Sequence, residues 1–341
     1  MRNAFFSLKL PATCCGESPT VKEKFIFIRS LTPLQATGLA LAVQFILLFL
    51  LLFIVLLSPA YGTSHLVIDE IGREVYLSSS PKKIVSLAPN ITETLFALGL
   101  GSEIAGVTIF CNYPEEAKKK PKVGGLINLS LEKIVSLEPD LIIATADGNR
   151  KETVVQLENI GLPVYVINPR NVMEILSMIS HIGIITGRER EAERLTRNLE
   201  GRIANVLAHK EGLARPRVFM QVGMDAMISA GRNTFLNELI TMAGGDNIAG
   251  DSAIRYPRLG IEEIIIKKPD FIIVSSMKKG DSLARAQEMW RRWDTISAVK
   301  NNKIHIIDSD IITRPSPRII SGLEELFAII HPEALQNSGA N

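Results

Sequence analysis

The chain has 341 residues, of which 46% are hydrophobic and 22% are charged, and its formal net charge is +2. This length predicts about two domains, each large enough to bury its own core. The near balance of charge argues against a nucleic-acid partner, because binding to phosphates requires a clustered positive surface. The apolar content also excludes a disordered chain.

The N-terminal part contains an unbroken apolar run over residues 39–57, in which Gln44 is the only strongly polar side chain. A run of this length must enter a membrane, at least during export. Basic residues precede it and the small residues Ala60 and Gly62 follow it, a pattern that predicts a signal peptide cleaved after Gly62. The run is also long enough to remain as an anchor. Residues 1–62 are therefore predicted to be a signal peptide or an N-terminal membrane anchor, with the rest of the chain outside the cytoplasm.

Cysteine and histidine usage limits the chemistry of the remaining chain. Cys14 and Cys15 precede the apolar run, so beyond residue 62 only Cys111 is left, and neither an intramolecular disulfide nor a Cys-rich zinc site is possible there. The five histidines are widely spaced and form no His-x-x-x-His pair. We expect no metal site and no resident cofactor. Beyond residue 62 the formal net charge is −1.

From Pro81 onward, short apolar runs alternate with helical patterns. The first half is predicted to contain strands over residues 83–87, 104–107, 141–144 and 164–167, and helices over residues 92–98, 131–137 and 152–159. Such alternation predicts a parallel sheet covered by helices on both faces.

The middle of the chain predicts a stiff helical connection over residues 172–185 and 188–208, broken only near Thr186-Gly187. The second half then repeats the alternation. Its predicted strands cover residues 218–221, 271–274 and 304–307, and its predicted helices cover residues 235–242, 261–266, 284–290 and 317–330.

The two halves also resemble each other in sequence. Residues 129–143 align without a gap with residues 259–273 and match at seven of 15 positions, and residues 101–106 give a shorter match with residues 245–250. Two copies predict a pair of similar lobes and not a solenoid.

The predicted fold class is therefore α/β, with two Rossmann-like lobes whose central sheets are mostly parallel and which are bridged by a long backbone helix. We place the first lobe at residues 63–168, the linking helices at 169–213 and the second lobe at 214–341. Two such lobes leave a cleft between the carboxyl ends of their sheets, where ligands bind in open α/β folds. An exported protein of this architecture is expected to be a solute receptor.

Four segments carry a more specific resemblance. They are residues 84–99 (IVSLAPNITETLFALG), Cys111-Asn-Tyr-Pro-Glu, the repeated segments that end in Pro-Asp, and Arg314-Pro-Ser-Pro-Arg-Ile. Together they resemble the helical-backbone class (class III) of periplasmic substrate-binding proteins of ABC importers, over about residues 80–333. Within that class they are most similar to the cobalamin-binding receptors of the iron-siderophore and cobalamin group.

The resemblance implies two lobes with little hinge closure, a ligand held between them, and delivery to a membrane permease with cytoplasmic ATPase subunits. It implies no catalytic residues, and we expect a monomer. An anchored chelate-processing enzyme is the alternative, but the chain lacks a base–nucleophile or metal-ligand constellation. A sensor that kept the fold without transport is a further alternative.

The resemblance also implies two docking residues. In this family one glutamate on each lobe meets arginines of the permease, and by motif these are Glu132 and Glu262, which match each other in the repeat. Carboxylates related by symmetry suit a two-fold transporter. The alternative is that each glutamate only complements its helix dipole.

Ligand-binding candidates come from loops that follow predicted strands. Aromatic and apolar side chains would cover the faces of a large ring, whereas Arg255, Asp310 and Arg314 would bind amides or a phosphate. Alternatively, Phe110 and Tyr256 pack between the lobes and Arg314 is a rim charge. The candidates are Phe110, Asn112, Tyr113, Leu126, Thr145, Asp147, Ile228, Arg255, Tyr256, Asp310 and Arg314.

Three of these positions depart from the cobalamin receptors. Leu126, Thr145 and Ile228 stand where that group has aromatic side chains. A cobalt corrinoid such as cobalamin is the favoured ligand, and a ferric siderophore, haem or another corrinoid stays open.

Overall fold

The computed structural model of the chain describes residues 44–50, 64–78, 80–224, 226–277 and 282–337. The chain divides into two units, Met1–Tyr61 and Gly62–Asn341. In the first unit, residues 44–50 are helical and their side chains are exposed. The rest of the predicted signal peptide or anchor, with the cleavage site after Gly62, lies outside the described residues. Within those ranges no helix combines the length and the apolar character needed to cross a bilayer.

The second unit begins with an antiparallel hairpin that the sequence reading did not include. Strand β1 (Ser64–Ile68) pairs with β2 (Glu74–Ser78). Asp69 stabilises the turn between the two strands, because its carboxylate accepts a hydrogen bond from the Arg73 backbone N–H at 2.8 Å and forms an ion pair with the Arg73 guanidinium. Val75 and Leu77 are buried in the core of the first lobe, so the hairpin is part of that lobe.

Four parallel strands form the first sheet: β3 (Ile84–Ser86), β4 (Ile104–Val107), β5 (Leu141–Thr145) and β6 (Val164–Ile167). Their order is β4-β3-β5-β6. Every residue of β3, β5 and β6 is buried, as is typical of a parallel sheet covered on both faces. The four predicted strands are thus confirmed.

The helices of the first lobe are α1 (Pro89–Ala97), α2 (Leu131–Ser136) and α3 (Lys151–Asn159), with a short 3-10 helix at Glu115–Lys119. Helix α1 begins directly after β3, earlier than predicted. Its first residue is Pro89, and proline is favoured there because it has no N–H to leave unpaired. The start of α2 is capped by Ser130, whose hydroxyl accepts the Lys133 N–H.

Two long helices link the lobes, α4 (Val172–Thr186) and α5 (Glu189–His209). The predicted break is present: Gly187 ends α4 with a φ of 67°, a left-handed conformation that glycine adopts readily. The chain turns there, and the two helices lie against each other. They touch at Gly183, where an added Cβ would collide with the Cβ of Ala192. The connection is therefore a packed helix pair.

The second sheet is also parallel and contains β7 (Arg217–Val222), β8 (Asp246–Asn247), β9 (Phe271–Ser276) and β10 (Ile304–Asp308). Its order is β8-β7-β9-β10. In each sheet, the strand that comes first in the chain therefore has the second strand on one side and the third and fourth strands on the other. The two lobes thus share one topology, in agreement with the internal repeat.

The helices of the second lobe surround this sheet: α6 (Phe235–Met242), α7 (Ile261–Lys267), α8 (Ser282–Trp290), α9 (Ser297–Lys300), α10 (Ser309–Thr313), α11 (Ile319–Ile330) and α12 (Pro332–Asn337). The short helices α9, α10 and α12 were not predicted. Helix α11 packs beside α5, and the Arg202–Glu324 ion pair of 2.6 Å joins them. The linking helices therefore contact the second lobe directly.

One apolar core continues through both lobes. It includes Ile84 of β3, Ile179 of α4 and Val218 of β7, all buried. The other face of each sheet has its own smaller core, around Val85 in the first lobe and Phe219 in the second. Close-packed interiors have low compressibility and transmit strain. The shared core therefore couples the two lobes mechanically.

Candidate functional site

The carboxyl ends of the two sheets face a common cleft. Residues 88–90 follow β3 and Thr145 ends β5, whereas Met277 follows β9 and Ser309 follows β10; all of them line one cavity of about 510 Å³. Ligand pockets typically measure about 300–1,000 Å³. Open α/β sheets bind ligands beyond their carboxyl ends, where the strand order reverses. In the first lobe the cavity occupies that position, between β3 and β5, and in the second lobe it lies beyond the carboxyl ends of β9 and β10.

Most of the predicted ligand-binding residues meet at this cavity. Phe110 and Tyr256 are each 49% exposed, so neither ring is packed in the core. They line the cavity from opposite lobes, and the structure therefore places an aromatic ring on each side of the cleft. The predicted residues that line it are Phe110, Leu126, Thr145, Asp147, Arg255, Tyr256, Asp310 and Arg314.

Asn112 does not line the cavity but holds two residues that do. Its Nδ2 donates to Asp310 Oδ2 at 3.0 Å, and its Oδ1 accepts a hydrogen bond from Arg314 Nη1 at 2.7 Å. Asp310 and Arg314 are in turn an ion pair of 2.8 Å. Asn112 thus supports the charged wall of the cleft from the first lobe.

Tyr113 and Ile228 are the other two predicted residues outside the cavity lining. The Tyr113 ring lies under the Arg318 guanidinium, 3.9 Å from the ring centroid. Ile228 forms an isolated bridge with Arg258, and its carbonyl accepts the Val222 N–H at 2.7 Å. The structure therefore does not bring Tyr113 and Ile228 to this cavity.

A buried carboxylate joins the lobes beside the cavity. Glu93 of α1 has a side chain that is 1% exposed, and it accepts hydrogen bonds from Arg314 (2.9 Å), Arg318 (3.2 Å) and the Ser316 hydroxyl (2.6 Å). All three donors belong to the second lobe. The side chain of Arg314 is only 14% exposed, so it is part of this network and not a rim charge. The sequence reading missed Glu93.

Asn149, in the loop after β5 from which ligand-binding residues were predicted, organises the first lobe's side of the cleft. Its Oδ1 accepts the Thr145 N–H at 2.8 Å, and its Nδ2 donates to the carbonyls of Leu87 and Leu126 at 3.1 and 3.0 Å. One side chain thereby fixes three separate loops at the cavity.

A second cavity of about 660 Å³ adjoins the first, and Arg255 lines both. Arg170 also lines it and forms an ion pair of 2.8 Å with Asp147, which belongs to the first cavity. Glu238 closes one side, because its Oε2 accepts the Val172 N–H at the start of α4. Burial raises the pKa of Glu238, and the neighbouring Glu174 carboxylate raises it further.

The two predicted docking glutamates lie at equivalent positions. Glu132 and Glu262 are both exposed, in the first turns of α2 and α7. Leu126 precedes Glu132 by the same number of residues as Tyr256 precedes Glu262, and both Leu126 and Tyr256 line the cavity. Their role in docking stays a prediction.

Among the described residues, no group of three or more His, Cys, Asp and Glu side chains comes together in a way that could hold a metal ion. Cys111 is buried, and the hydroxyls of Thr92 and Thr108 lie 3.1 and 3.2 Å from its Sγ. This thiol is a packed, hydrogen-bonded group.

A family model described as periplasmic binding protein matches residues 84–311. The chain belongs to the periplasmic binding protein family. The expected fold and the resemblance to the helical-backbone class are confirmed, and Phe110, Glu93 and the whole of the first sheet lie within the matched range or at its edge.

Individual relatives agree with this assignment. YvrC of Bacillus subtilis, an uncharacterized ABC transporter substrate-binding lipoprotein, is 33% identical over 79% of this chain and 86% of its own length. The periplasmic vitamin B12 binding protein BtuF of Vibrio cholerae has a TM-score of 0.67 and 27% identity, covering 75% of this chain and 98% of its own. The periplasmic heme-binding protein RhuT of Roseiflexus sp. RS-1 has a TM-score of 0.64 and 28% identity, covering 74% of this chain and 99% of its own.

This periplasmic binding protein is therefore an extracytoplasmic solute-binding protein of an ABC transporter, and not an enzyme. Its relatives are named for different ligands, vitamin B12 and heme. The side chains that line the cleft of this chain therefore decide which ligand fits it.

Proposed function

We propose that this protein binds a cobalt corrinoid of the cobalamin type in the cleft and delivers it to a membrane permease. The observation that carries the ligand class is the pair of half-exposed rings, Phe110 and Tyr256, on one cavity between the lobes. Aromatic side chains pack well against the flat, largely apolar faces of a large ring. The relatives named for vitamin B12 support the same ligand.

The edges of the cleft suit a ring whose periphery is polar. Asp310 and Arg314 form a charged pair on one wall, and Asp147 forms another with Arg170. Such pairs offer both hydrogen-bond donors and acceptors, so they can bind the oxygen and the nitrogen of a carboxamide. A corrinoid, with amides around its edge, fits this mixture.

Haem or a ferric siderophore is the alternative ligand. Arg170 and Arg255 both line the adjoining cavity, and guanidinium groups bind carboxylates in a bidentate geometry. An iron chelate with carboxylates at its edge would use these arginines. This second candidate shares the cleft and differs only in the chemistry of the periphery.

Delivery rests on Glu132 and Glu262. Two exposed carboxylates at equivalent places on two lobes fit arginines repeated by a two-fold permease. In this proposal, residues 1–62 export the protein and either are removed after Gly62 or remain as an anchor, and the protein works as a monomer. Cytoplasmic ATPase subunits would complete the transporter.

The proposal is tested by calorimetric titration of the purified protein with cyanocobalamin, hemin and a ferric carboxylate siderophore. We expect saturable one-to-one binding of cyanocobalamin. Binding of hemin or of the siderophore without any response to cyanocobalamin would replace the corrinoid with an iron chelate and leave the receptor role intact. No binding of any of the three would contradict the proposed ligand class altogether.

A further inference from the structure

Two polar side chains that line the cleft each have a buried atom without a hydrogen-bond partner in the part of the chain that the structure describes. Asn90, the second residue of α1, is 5% exposed, and its Nδ2 is buried without a hydrogen-bond partner among the described residues. Ser309, the first residue of α10, has a buried Oγ in the same condition. Both residues line the cavity, one from each lobe.

Buried polar groups nearly always have a hydrogen-bond partner. A donor that is removed from water and given no acceptor costs the folded protein stability. Two such groups on one cavity floor therefore point to a partner that comes from outside the chain, because the ligand is what fills this cavity.

The surroundings favour an oxygen acceptor as that partner. No side chain caps the N-terminus of α1, and Ala88, Pro89 and Asn90 at this helix end all line the cavity. A helix N-terminus carries partial positive charge and unpaired N–H groups, which attract an oxygen with negative or partial negative charge.

We infer that Asn90 and Ser309 form a donor subsite that binds an oxygen on the edge of the ligand, from a carboxamide or a carboxylate. The inference rests on the proposed function and specifies which side chains would form hydrogen bonds with the edge of the ligand. Both atoms are buried in the ligand-free protein, so each side chain must turn to meet the ligand: the Asn90 amide about χ2, a broad torsion, and the Ser309 side chain about χ1, between staggered rotamers. Each lobe thus offers one hydrogen-bond donor to the ligand.

The test replaces each donor by an apolar side chain of similar size, Asn90→Leu and Ser309→Ala, with Asn159→Leu on the exposed end of α3 as the matched control. Two opposite effects are expected of Asn90→Leu. The thermal midpoint of the ligand-free protein stays equal or rises, because a buried donor without a partner has been removed. The affinity for cyanocobalamin, measured by calorimetry, falls about threefold to tenfold. Ser309→Ala lowers the affinity within the same range, and Asn159→Leu leaves it unchanged.

Asn90→Asp distinguishes the two sources of the oxygen. Cyanocobalamin presents neutral carboxamides and hemin presents carboxylates, so the new negative charge weakens hemin binding much more than cyanocobalamin binding if the subsite takes a carboxylate. A smaller loss, confined to cyanocobalamin, indicates a carboxamide.

Three results would overturn the inference. If wild type binds a probe and both Asn90→Leu and Ser309→Ala bind it equally well, the subsite is wrong while the receptor function stands. If Asn90→Leu markedly lowers the midpoint of the ligand-free protein, the amide serves the fold and not the ligand. If wild type binds neither cyanocobalamin nor hemin, the proposed function fails and the subsite fails with it.

Discussion

Glu93 in the first lobe and Arg314 in the second lobe form an ion pair of 2.9 Å in which the carboxylate is 1% exposed and the guanidinium side chain 14% exposed. Charges so far removed from water are tolerated only when hydrogen bonds satisfy them fully. Arg318 and Ser316 complete the set of donors around Glu93. The pair therefore joins the two lobes at one defined separation. It lies beside the cavity that both lobes line.

Removal of this carboxylate should be costly. Glu93→Ala leaves Arg314 and Arg318 without their buried counter-charge, and breaking a buried pair from one side typically costs about 3–5 kcal/mol. We expect a decrease of that size in the free energy of unfolding, measured by urea denaturation. Glu115→Ala is the control, because Glu115 and Lys118 form an exposed pair whose loss should cost under about 1 kcal/mol. Equal losses for the two variants would contradict a buried link between the lobes.

The aromatic rings of the cleft should contribute to ligand affinity. Phe110→Ala and Tyr256→Ala each remove a ring that a bound macrocycle would cover, and burial of an aromatic side chain is worth about 1.5–3 kcal/mol. We expect the Kd for cyanocobalamin to rise by about tenfold to a hundredfold in calorimetric titrations. Tyr76→Ala, which removes a 66% exposed ring from the N-terminal hairpin, should leave the Kd unchanged. Unaltered binding by both cleft variants would mean that the ligand lies elsewhere.

Charge reversal at Glu132 and Glu262, the proposed docking residues, should separate transport from binding. The variant with both Glu132→Lys and Glu262→Lys is expected to bind cyanocobalamin with wild-type affinity and to fail in uptake assays, because like charges would then face the permease arginines. Glu152→Lys is the matched control, since Glu152 also stands in the first turn of a helix, α3, and tests the effect of the helix dipole alone. Normal uptake by the double variant would exclude a docking role.

The buried carboxyl of Glu238 should make stability depend on pH. Burial raises the pKa of Glu238 above its ordinary value of 4.5, so the folded protein holds this proton more tightly than the unfolded chain does. The stability that this provides is complete below the ordinary pKa and is lost as pH rises through the raised pKa. Glu238→Gln keeps an oxygen to accept the Val172 N–H and cannot ionise.

We therefore expect Glu238→Gln to have the same thermal midpoint as wild type near pH 4 and a higher thermal midpoint near pH 8. The difference in midpoint should grow as the pH rises above the ordinary carboxyl pKa. Glu200→Gln, on the exposed face of α5, should show no such trend. A gain that is constant with pH would indicate that the charge of Glu238 is not its cause.

The outer core of the second lobe depends on Trp290. This side chain is fully buried, contacts Phe219 edge-on, and donates from Nε1 to Gln221 Oε1 at 3.0 Å. Trp290→Ala should lower the free energy of unfolding by about 3–5 kcal/mol, as large-to-small core substitutions do. Trp293→Ala, at the partly buried edge of the same cluster, should cost clearly less when both are measured by urea denaturation. A smaller loss for Trp290→Ala than for Trp293→Ala would show that this core is centred elsewhere.

The sequence was sufficient for the main sheets because their strands are short, fully buried apolar runs between helical patterns. It was insufficient for the hairpin, since Leu66 and Ile68 are exposed although they are apolar, which hides the alternation expected of a half-buried strand. Strand β8 has only two residues and carries no periodic signal. The internal repeat predicted the equal topology of the two sheets, because each copy spans a helix and the strand that follows it.

The site was predictable where residue type and position after a strand coincide, as at Phe110 and Asp310. It was not predictable at Glu93, which reads as an ordinary helical glutamate. Its burial depends on Arg314, 221 residues away, and only tertiary packing brings the two together. Asn90 and Ser309 could have been found from the rule that ligands meet the carboxyl ends of strands, since Ser309 directly follows β10 and Asn90 lies in the first turn of the helix that follows β3.

The equivalence of Leu126 with Tyr256, and of Glu132 with Glu262, separates two demands on the molecule. At the exposed end of this segment both lobes carry a glutamate, as the proposed docking to a partner with two equal halves requires. At the cavity the lobes differ, with leucine in one and tyrosine in the other. The proposed corrinoid has no two-fold symmetry, so a cleft that fits it must differ between its two walls. Within seven residues, each copy of the repeat thus combines a position that is the same in both lobes with one that is not.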